Sequence, residues 1–243
     1  MGRPAPDIIS ALRREILSLQ GYSPAVAATG KQLLPAAVCK VFPQGIFPLG
    51  TLHECLVQNR MQEAATGGFL AALLAGILAE QGIGIWISQR PAIYPPALAN
   101  FSLHPEHIIF IRVKNEKEAC WATEEVLHCN GIGAVVAELP KLDFTFSRRL
   151  QLAAEKSRVT GFIIRPENAM TANSTSAARW QVRSLPSETA DDLPGVGYPR
   201  WQVELVKVKN GKGGSWQLEW DAGKIKLVTT STVITQERQR QTG

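Results

Sequence analysis

The hydrophobic pattern of the chain changes near residue 178. Between Thr51 and Ile164, short unbroken apolar runs alternate with segments whose apolar residues recur every three or four positions. TLHECLV, Ile83–Ser88, His107–Val113, Gly133–Leu139 and Val159–Ile164 read as strands. Glu63–Gln81, Glu116–Cys129 and Ser147–Lys156 read as helices, and proline opens a shorter one at Pro95–Phe101. Strands apolar throughout are those covered on both faces. The pattern therefore predicts an α/β fold, with a mostly parallel central sheet and helices on both sides. After Ala178 the pattern becomes alternation: ARWQVRSL (Ala178–Leu185), RWQVELVKVKN (Arg200–Asn210) and SWQLEWD (Ser215–Asp221). The last two flank Gly211–Gly214 as a hairpin would, so antiparallel strands are predicted at the C-terminal edge.

The two ends read differently. Asp7 can cap a short helix in which Ile9, Leu12, Ile16 and Leu19 share one face, and Gly21 ends it. The stretch to Gly50 is dotted with Gly and Pro and reads as a linker. The predicted division is an N-terminal helix at 1–21, a linker at 22–50, a core domain at 51–221 and a basic flexible tail at 222–243. A helix on a linker either packs back on its own domain or docks on another chain. Ile9, Leu12, Ile16 and Leu19 are the candidate docking face.

Composition narrows the class. The chain has 243 residues, 45% hydrophobic and 19% charged, which excludes a disordered chain. The apolar run Phe69–Ala79 is far short of the roughly 20 residues of a membrane span, and MGRPAPDIIS has no apolar stretch of signal type. Four cysteines, irregularly spaced, supply neither a disulfide scaffold nor a paired-CxxC zinc site. These features predict a soluble, reduced, cytoplasmic protein. A net charge of +5 tolerates an anionic partner without requiring one.

Most chemical templates fail. A phosphate-cradling loop needs glycines after a strand, then Lys and Ser or Thr at the mouth of the next helix. The corresponding position, QNRMQEAATGGF (Gln58–Phe69), has no lysine, and Glu63 puts negative charge where a polyphosphate would sit. Thr66, Gly67 and Gly68 still offer backbone N–H groups at the predicted helix start. His53-Glu54 opens a zincin-like pattern, but Val57 stands where the second histidine belongs. There is no GxSxG elbow and no GxGxxG fingerprint. Cys120, His128 and Cys129 are too few for a metal centre. Glu138 ends a strand, where α/β enzymes place functional groups, but has no acid or base partner in sequence. Trp180, Trp201, Trp216 and Trp220 fall on alternating strands, where packing is the default reading. Arg165 and Arg179 flank the polar loop Arg165–Ser176, and Lys207, Lys209 and Lys212 cluster on the hairpin. These five are the nucleic-acid candidates, weighed against a solvated surface.

GIFPLGTLHE, EAATGGFLAALLAG, WISQRPAIYPPAL, the long segment ending SRRLQLAAEKSRVTGF, and PGVGYPRWQVELVKVKNGKGGSWQLEW together resemble the ImuA family, RecA-like accessory proteins of bacterial SOS mutagenesis. The resemblance runs from the N-terminal helix to about Trp220. It implies a RecA-type core, and partners: ImuB, an inactive Y-family polymerase homologue; an error-prone polymerase that copies past lesions; and RecA itself. It also lays the RecA phosphate loop onto Glu63, Ala64, Ala65, Thr66, Gly67 and Gly68, with Gly67 at the lysine position and Gly68 at the hydroxyl position. The catalytic glutamate falls near Gln89 or Arg90, and the magnesium-holding acid falls on Glu138. With lysine, hydroxyl and base all missing, the resemblance implies no ordinary ATP hydrolysis and no ATP cofactor. The RecA loops that hold single-stranded DNA correspond to Pro140–Phe146, much shortened, and Arg165–Ser176. The expected function is a non-catalytic scaffold in error-prone translesion synthesis. Its alternatives are a nucleotide-dependent DNA-binding ATPase and an inhibitor that binds a single protein target.

Overall fold

A computed structural model describes residues 32–79, 82–91, 93–169, 174–187 and 197–231. The candidate docking residues Ile9, Leu12, Ile16 and Leu19 lie outside them. Four α-helices and nine strands are described: α1 (Ala36–Cys39), β1 (Leu52–Val57), α2 (Arg60–Leu78), β2 (Ile83–Ser88), β3 (Ile108–Arg112), α3 (Glu116–His128), β4 (Ile132–Glu138), α4 (Phe144–Ser157), β5 (Thr160–Pro166), β6 (Ala178–Leu185), β7 (Arg200–Val208), β8 (Gly214–Asp221) and β9 (Lys224–Ser231). The strands form one sheet in the order β3-β2-β4-β5-β1-β6-β7-β8-β9. The first six run parallel, and β7, β8 and β9 continue antiparallel.

This is the predicted α/β architecture, and alternation along each strand explains its two cores. Trp86, Val136 and Phe162 point to one face, where they meet Phe69, Leu70, Leu73 and Leu74 of α2. Ile85, Ile87, Val135 and Ile163 point to the other, against Leu127 of α3 and Leu150 and Ala154 of α4. α2 is long and apolar enough to span a membrane by composition alone, yet most of its apolar window is buried inside the protein. Its apolarity is that of a helix covered on nearly every side. Trp180, Trp201, Trp216 and Trp220 are all buried in the α2-side core, as packing residues.

Several boundaries differ from the sequence expectation. The described part of the supposed linker, residues 32–50, belongs to the core: Leu34, Val38, Phe42 and Phe47 are buried with α2 and β6. Its prolines and glycines shape turns that pack inward, so Gly/Pro content alone misread it. β6 was expected with the antiparallel set, but it lies parallel to β1 and antiparallel to β7, and so joins the two halves of the sheet. Lys224–Ser231, expected in a flexible tail, is strand β9, held to β8 by an antiparallel ladder from Asp221↔Lys224 to Ser215↔Ser231. The turn Ala222-Gly223 takes positive φ at both residues, as a tight hairpin requires.

Candidate functional site

The sheet's C-terminal edge carries a cleft of about 420 Å³ outside the ends of β1, β2, β4 and β5. In open α/β sheets this is where ligands bind. Its floor includes Glu138, at the end of β4, and one wall is the first turn of α2.

That turn decides what the cleft can do. β1 ends at Val57 and α2 begins at Arg60, so only Gln58 and Asn59 separate them. Asn59 caps the helix, its side chain accepting from the Gln62 N–H at 3.0 Å. Gln62 reaches back and accepts from the Gln58 N–H at 2.8 Å. This reciprocal capping satisfies donors that an anion would otherwise take. Glu63, Ala64, Ala65, Thr66, Gly67 and Gly68 therefore sit inside the helix rather than in a phosphate cradle. The expectation that Thr66, Gly67 and Gly68 offer free N–H groups at a helix start is corrected: those groups lie in the helical ladder. The two glycines have a packing reason. A Cβ on Gly67 would come within 2.8 Å of Ile93, and one on Gly68 within 3.0 Å of Phe101. They let the 3-10 segment Pro95–Phe101 lie directly against α2.

Within the cleft, Arg90 Nη2 donates to Glu63 Oε1 at 2.5 Å. Glu138 Oε1 is buried without a hydrogen-bond partner. Burial, and then the negative charge of Glu63, push the Glu138 carboxyl up to about 7, against the opposing charge of Arg90. A carboxyl so placed takes up a proton more readily than an ordinary surface carboxyl.

A second charged cluster lies beside the cleft and is sealed. Glu54, on β1, is 1% exposed. Its Oε2 accepts from Arg165 Nη1 of β5 at 3.1 Å and from Arg179 Nε of β6 at 3.2 Å. Arg165 also donates to the Leu142 carbonyl, and Arg179 to Ser174 Oγ. The two arginines are 3% and 4% exposed. Their assignment as nucleic-acid contacts is corrected: both guanidiniums are committed to Glu54 within the fold. Lys207 stands opposite Arg179 in the ladder and donates to the Ser174 carbonyl at 3.3 Å. Lys209 and Lys212 lie at the β7–β8 turn, so the three lysines remain near one end of the sheet.

FPLGTLHE proves to be an internal lock. His53 is fully buried, its ring stacked between Phe47 and Phe162. Nε2 lies 2.8 Å from the Pro48 carbonyl, and Nδ1 accepts from Trp180 Nε1 at 3.2 Å. The first contact requires Nε2–H and the second a bare Nδ1, so the ring is neutral. Burial holds its pKa down to about 4. Gly50, at φ +64°, makes the turn that returns the chain to β1, with its N–H on Thr160 Oγ1. Sequence reasoning missed His53, Glu54 and the Arg90–Glu63 pair as structural partners. The available signal was a His-Glu pair inside an otherwise apolar strand, where a charge requires a buried counter-charge.

No family model matches the chain. It is 33% identical over 190 residues to Protein ImuA of Caulobacter vibrioides strain NA1000 / CB15N, a match covering 73% of this chain and 78% of that protein. The ImuA of strain ATCC 19089 / CIP 103742 / CB 15 matches equally. The chain belongs to the ImuA family. It is thereby a protein related to SOS mutagenesis, the theme that the sequence resemblance implied.

Proposed function

We propose that this ImuA-family chain is a non-catalytic, RecA-like accessory protein of error-prone translesion synthesis, working in the cytoplasm as a scaffold. Its proposed partners are an ImuB-like inactive Y-family polymerase, an error-prone DNA polymerase and RecA. The observation that carries the reading is the junction of β1 and α2. Where a phosphate loop would stand, Asn59 and Gln62 cap a helix that begins at Arg60. Glu63, in the first turn, faces the cleft already paired with Arg90. Phosphoryl transfer depends on a positive charge and backbone donors aimed at the phosphates. Here Asn59 and Gln62 already take the Gln62 and Gln58 N–H groups, no lysine among the described residues lines the cleft, and its Arg90 and Arg165 are engaged by Glu63 and Glu54. The fold is retained while the catalytic equipment is missing, as suits a chain that works by contact.

The test is ATP turnover by the purified protein with and without single-stranded DNA. Turnover should not exceed background in either condition. DNA-stimulated hydrolysis that disappears in Glu138→Gln would overturn the reading, because it would require a working metal-binding acid. Direct DNA contact is a separate proposal, and it now rests on Lys207, Lys209 and Lys212. Labelled single-stranded DNA should bind at low salt, and charge reversal of these three should abolish that binding; no binding by the parent overturns this proposal. Among protein contacts, the face Ile9, Leu12, Ile16 and Leu19 is proposed as a docking element. Leu12→Asp with Ile16→Asp should weaken partner capture while leaving cooperative unfolding of the core intact.

A further inference from the structure

Among the described residues, β3 is the outermost strand at one end of the sheet, and its open edge is unprotected. Its sequence, IIFIR, contains no proline and no lysine, although sheet edges are ordinarily blunted by such residues or by a bulge. Ile109 is 48% and Phe110 39% exposed. They lie on opposite faces of the sheet, Ile109 beside Ile85 and Phe110 beside Trp86. Apolar surface is therefore open on both sides of the same edge.

The backbone there has a definite parity. The Val113 N–H donates to the Ser88 carbonyl of the neighbouring strand. N–H and C=O of one strand residue point to the same side, and the side alternates along the strand. Ile109 and Ile111 therefore bond inward to β2, while Ile108, Phe110 and Arg112 point outward. The Ile108 N–H turns back to the Pro105 carbonyl. Both backbone groups of Phe110 and Arg112, and the Ile108 carbonyl, remain along the open edge.

We propose that β3 pairs antiparallel with β3 of a second copy of this chain, about a two-fold axis through Phe110, so that the two sheets become one. This register uses every residue of the strand. Each Phe110 exchanges N–H···O bonds with its counterpart, as a hydrogen-bonded antiparallel pair does. Each Arg112 N–H meets the Ile108 carbonyl of the second copy. Ile109 falls opposite Ile111 on the α3 side, and the two Phe110 rings adjoin on the α2 side. Just beyond the strand ends, Glu106, in the turn Pro105–His107, and Lys114 of the second copy come to the same end of the paired strands, twice. Both are exposed. The edge is thus self-complementary in hydrogen bonding, apolar surface and charge, as an isologous interface requires.

Sedimentation velocity on the full chain across the micromolar range tests this. The parent should show a concentration-dependent species of twice the 26.5 kDa chain mass. Phe110→Lys places two ammonium groups on the axis and should weaken association on the order of 100-fold, with the far-UV spectrum unchanged. Glu106→Lys and Lys114→Glu should each weaken it, and the double swap should restore it, because opposite charges again share each end of the paired strands. A parent that stays monomeric throughout overturns the proposal. So does a dimer indifferent to Phe110→Lys, or a double swap that associates no better than the single variants. If Phe110→Lys fails to fold, the charge-swap pair, which lies outside the core, decides alone.

Discussion

Glu54 and Glu138 each end up near the C-terminal edge of the same sheet, and each has arginine in its surroundings, yet they live in opposite regimes. Glu54 is sealed and clamped between Arg165 and Arg179. Glu138 borders an open cleft beside Arg90, which Glu63 already engages; each of the two glutamates keeps one buried oxygen without a hydrogen-bond partner among the described residues. The first carboxylate is held in place by contact with two cations. The second is pushed toward its neutral form by burial and by a like charge. A titratable group at the right edge of an α/β sheet is thus not by itself a catalytic sign. Which of the two could take part in chemistry is settled by access and by what the neighbouring cations already hold.

The largest expected effect breaks the sealed cluster. Glu54→Gln leaves two buried guanidiniums facing each other without their carboxylate. Removing one partner of a buried ion pair typically costs about 3–5 kcal/mol. For a domain of this size that corresponds to a fall in thermal midpoint of roughly 10 °C, readable by calorimetry. A loss below about 1 kcal/mol would mean that the cluster is as dispensable as a surface pair. Arg165→Ala or Arg179→Ala should likewise destabilise the fold. A change in DNA affinity in either variant would therefore report damage to the core before any lost phosphate contact.

The His53 lock ranks next and carries a pH signature. His53→Leu removes the partners of the Pro48 carbonyl and the Trp180 indole N–H, each a buried group left unsatisfied, for a cost of roughly 1–3 kcal/mol. The native imidazole has a folded pKa near 4, below its ordinary 6.5. The unfolded chain binds the proton more readily. The contribution is therefore complete above pH 6.5 and is lost as pH falls toward 4. Urea unfolding between pH 7 and pH 4 should show this loss in the parent and a shallower one in the variant.

Much of this was legible from the sequence, and the failures share one cause. Apolar runs located the strands and the two-faced sheet because burial on both faces leaves a local signature. The resemblance to ImuA proteins was equally visible, in FPLGTLHE and the segment before β5. Pairings between distant positions were not visible. Arg165 and Arg179 read as loop-flanking cations because their partner, Glu54, lies more than a hundred residues away and becomes adjacent only through sheet order. The TGG of α2 resembled a remnant phosphate loop because helix-packing glycines and loop glycines look alike until Ile93 and Phe101 are placed against them. Pro- and Gly-rich residues 32–50 read as a linker for the same reason: turn-forming residues report local geometry, not what the turn packs against.

The open cleft has a pH dependence of the opposite sign. Glu138 is raised from 4.5 to about 7 on folding, so the folded chain binds the proton more tightly than the unfolded one. Its stabilising contribution is complete below pH 4.5 and is lost as pH rises through 7. Glu138→Gln mimics the protonated form. It should flatten the stability profile between pH 5 and 8 and should match or exceed the parent above pH 7. Because the group is only partly buried, the gain should be about 1 kcal/mol.

The smallest expected effect separates the two members of the neighbouring pair. Arg90 is half exposed, and its bond to Glu63 is worth well under 1 kcal/mol in global stability. Arg90→Ala should therefore hardly move the thermal midpoint, yet it should raise the Glu138 pKa further, because Arg90 is the cation holding it down. Glu63→Gln should lower it, because the like charge is gone. Carboxyl-selective NMR titration of Glu138 in the two variants reads the shifts directly. If both variants move the pKa in the same direction, or neither moves it, Glu138 does not sense the pair. The cleft would then be governed by burial alone, and the contrast with the clamped Glu54 would reduce to exposure rather than charge.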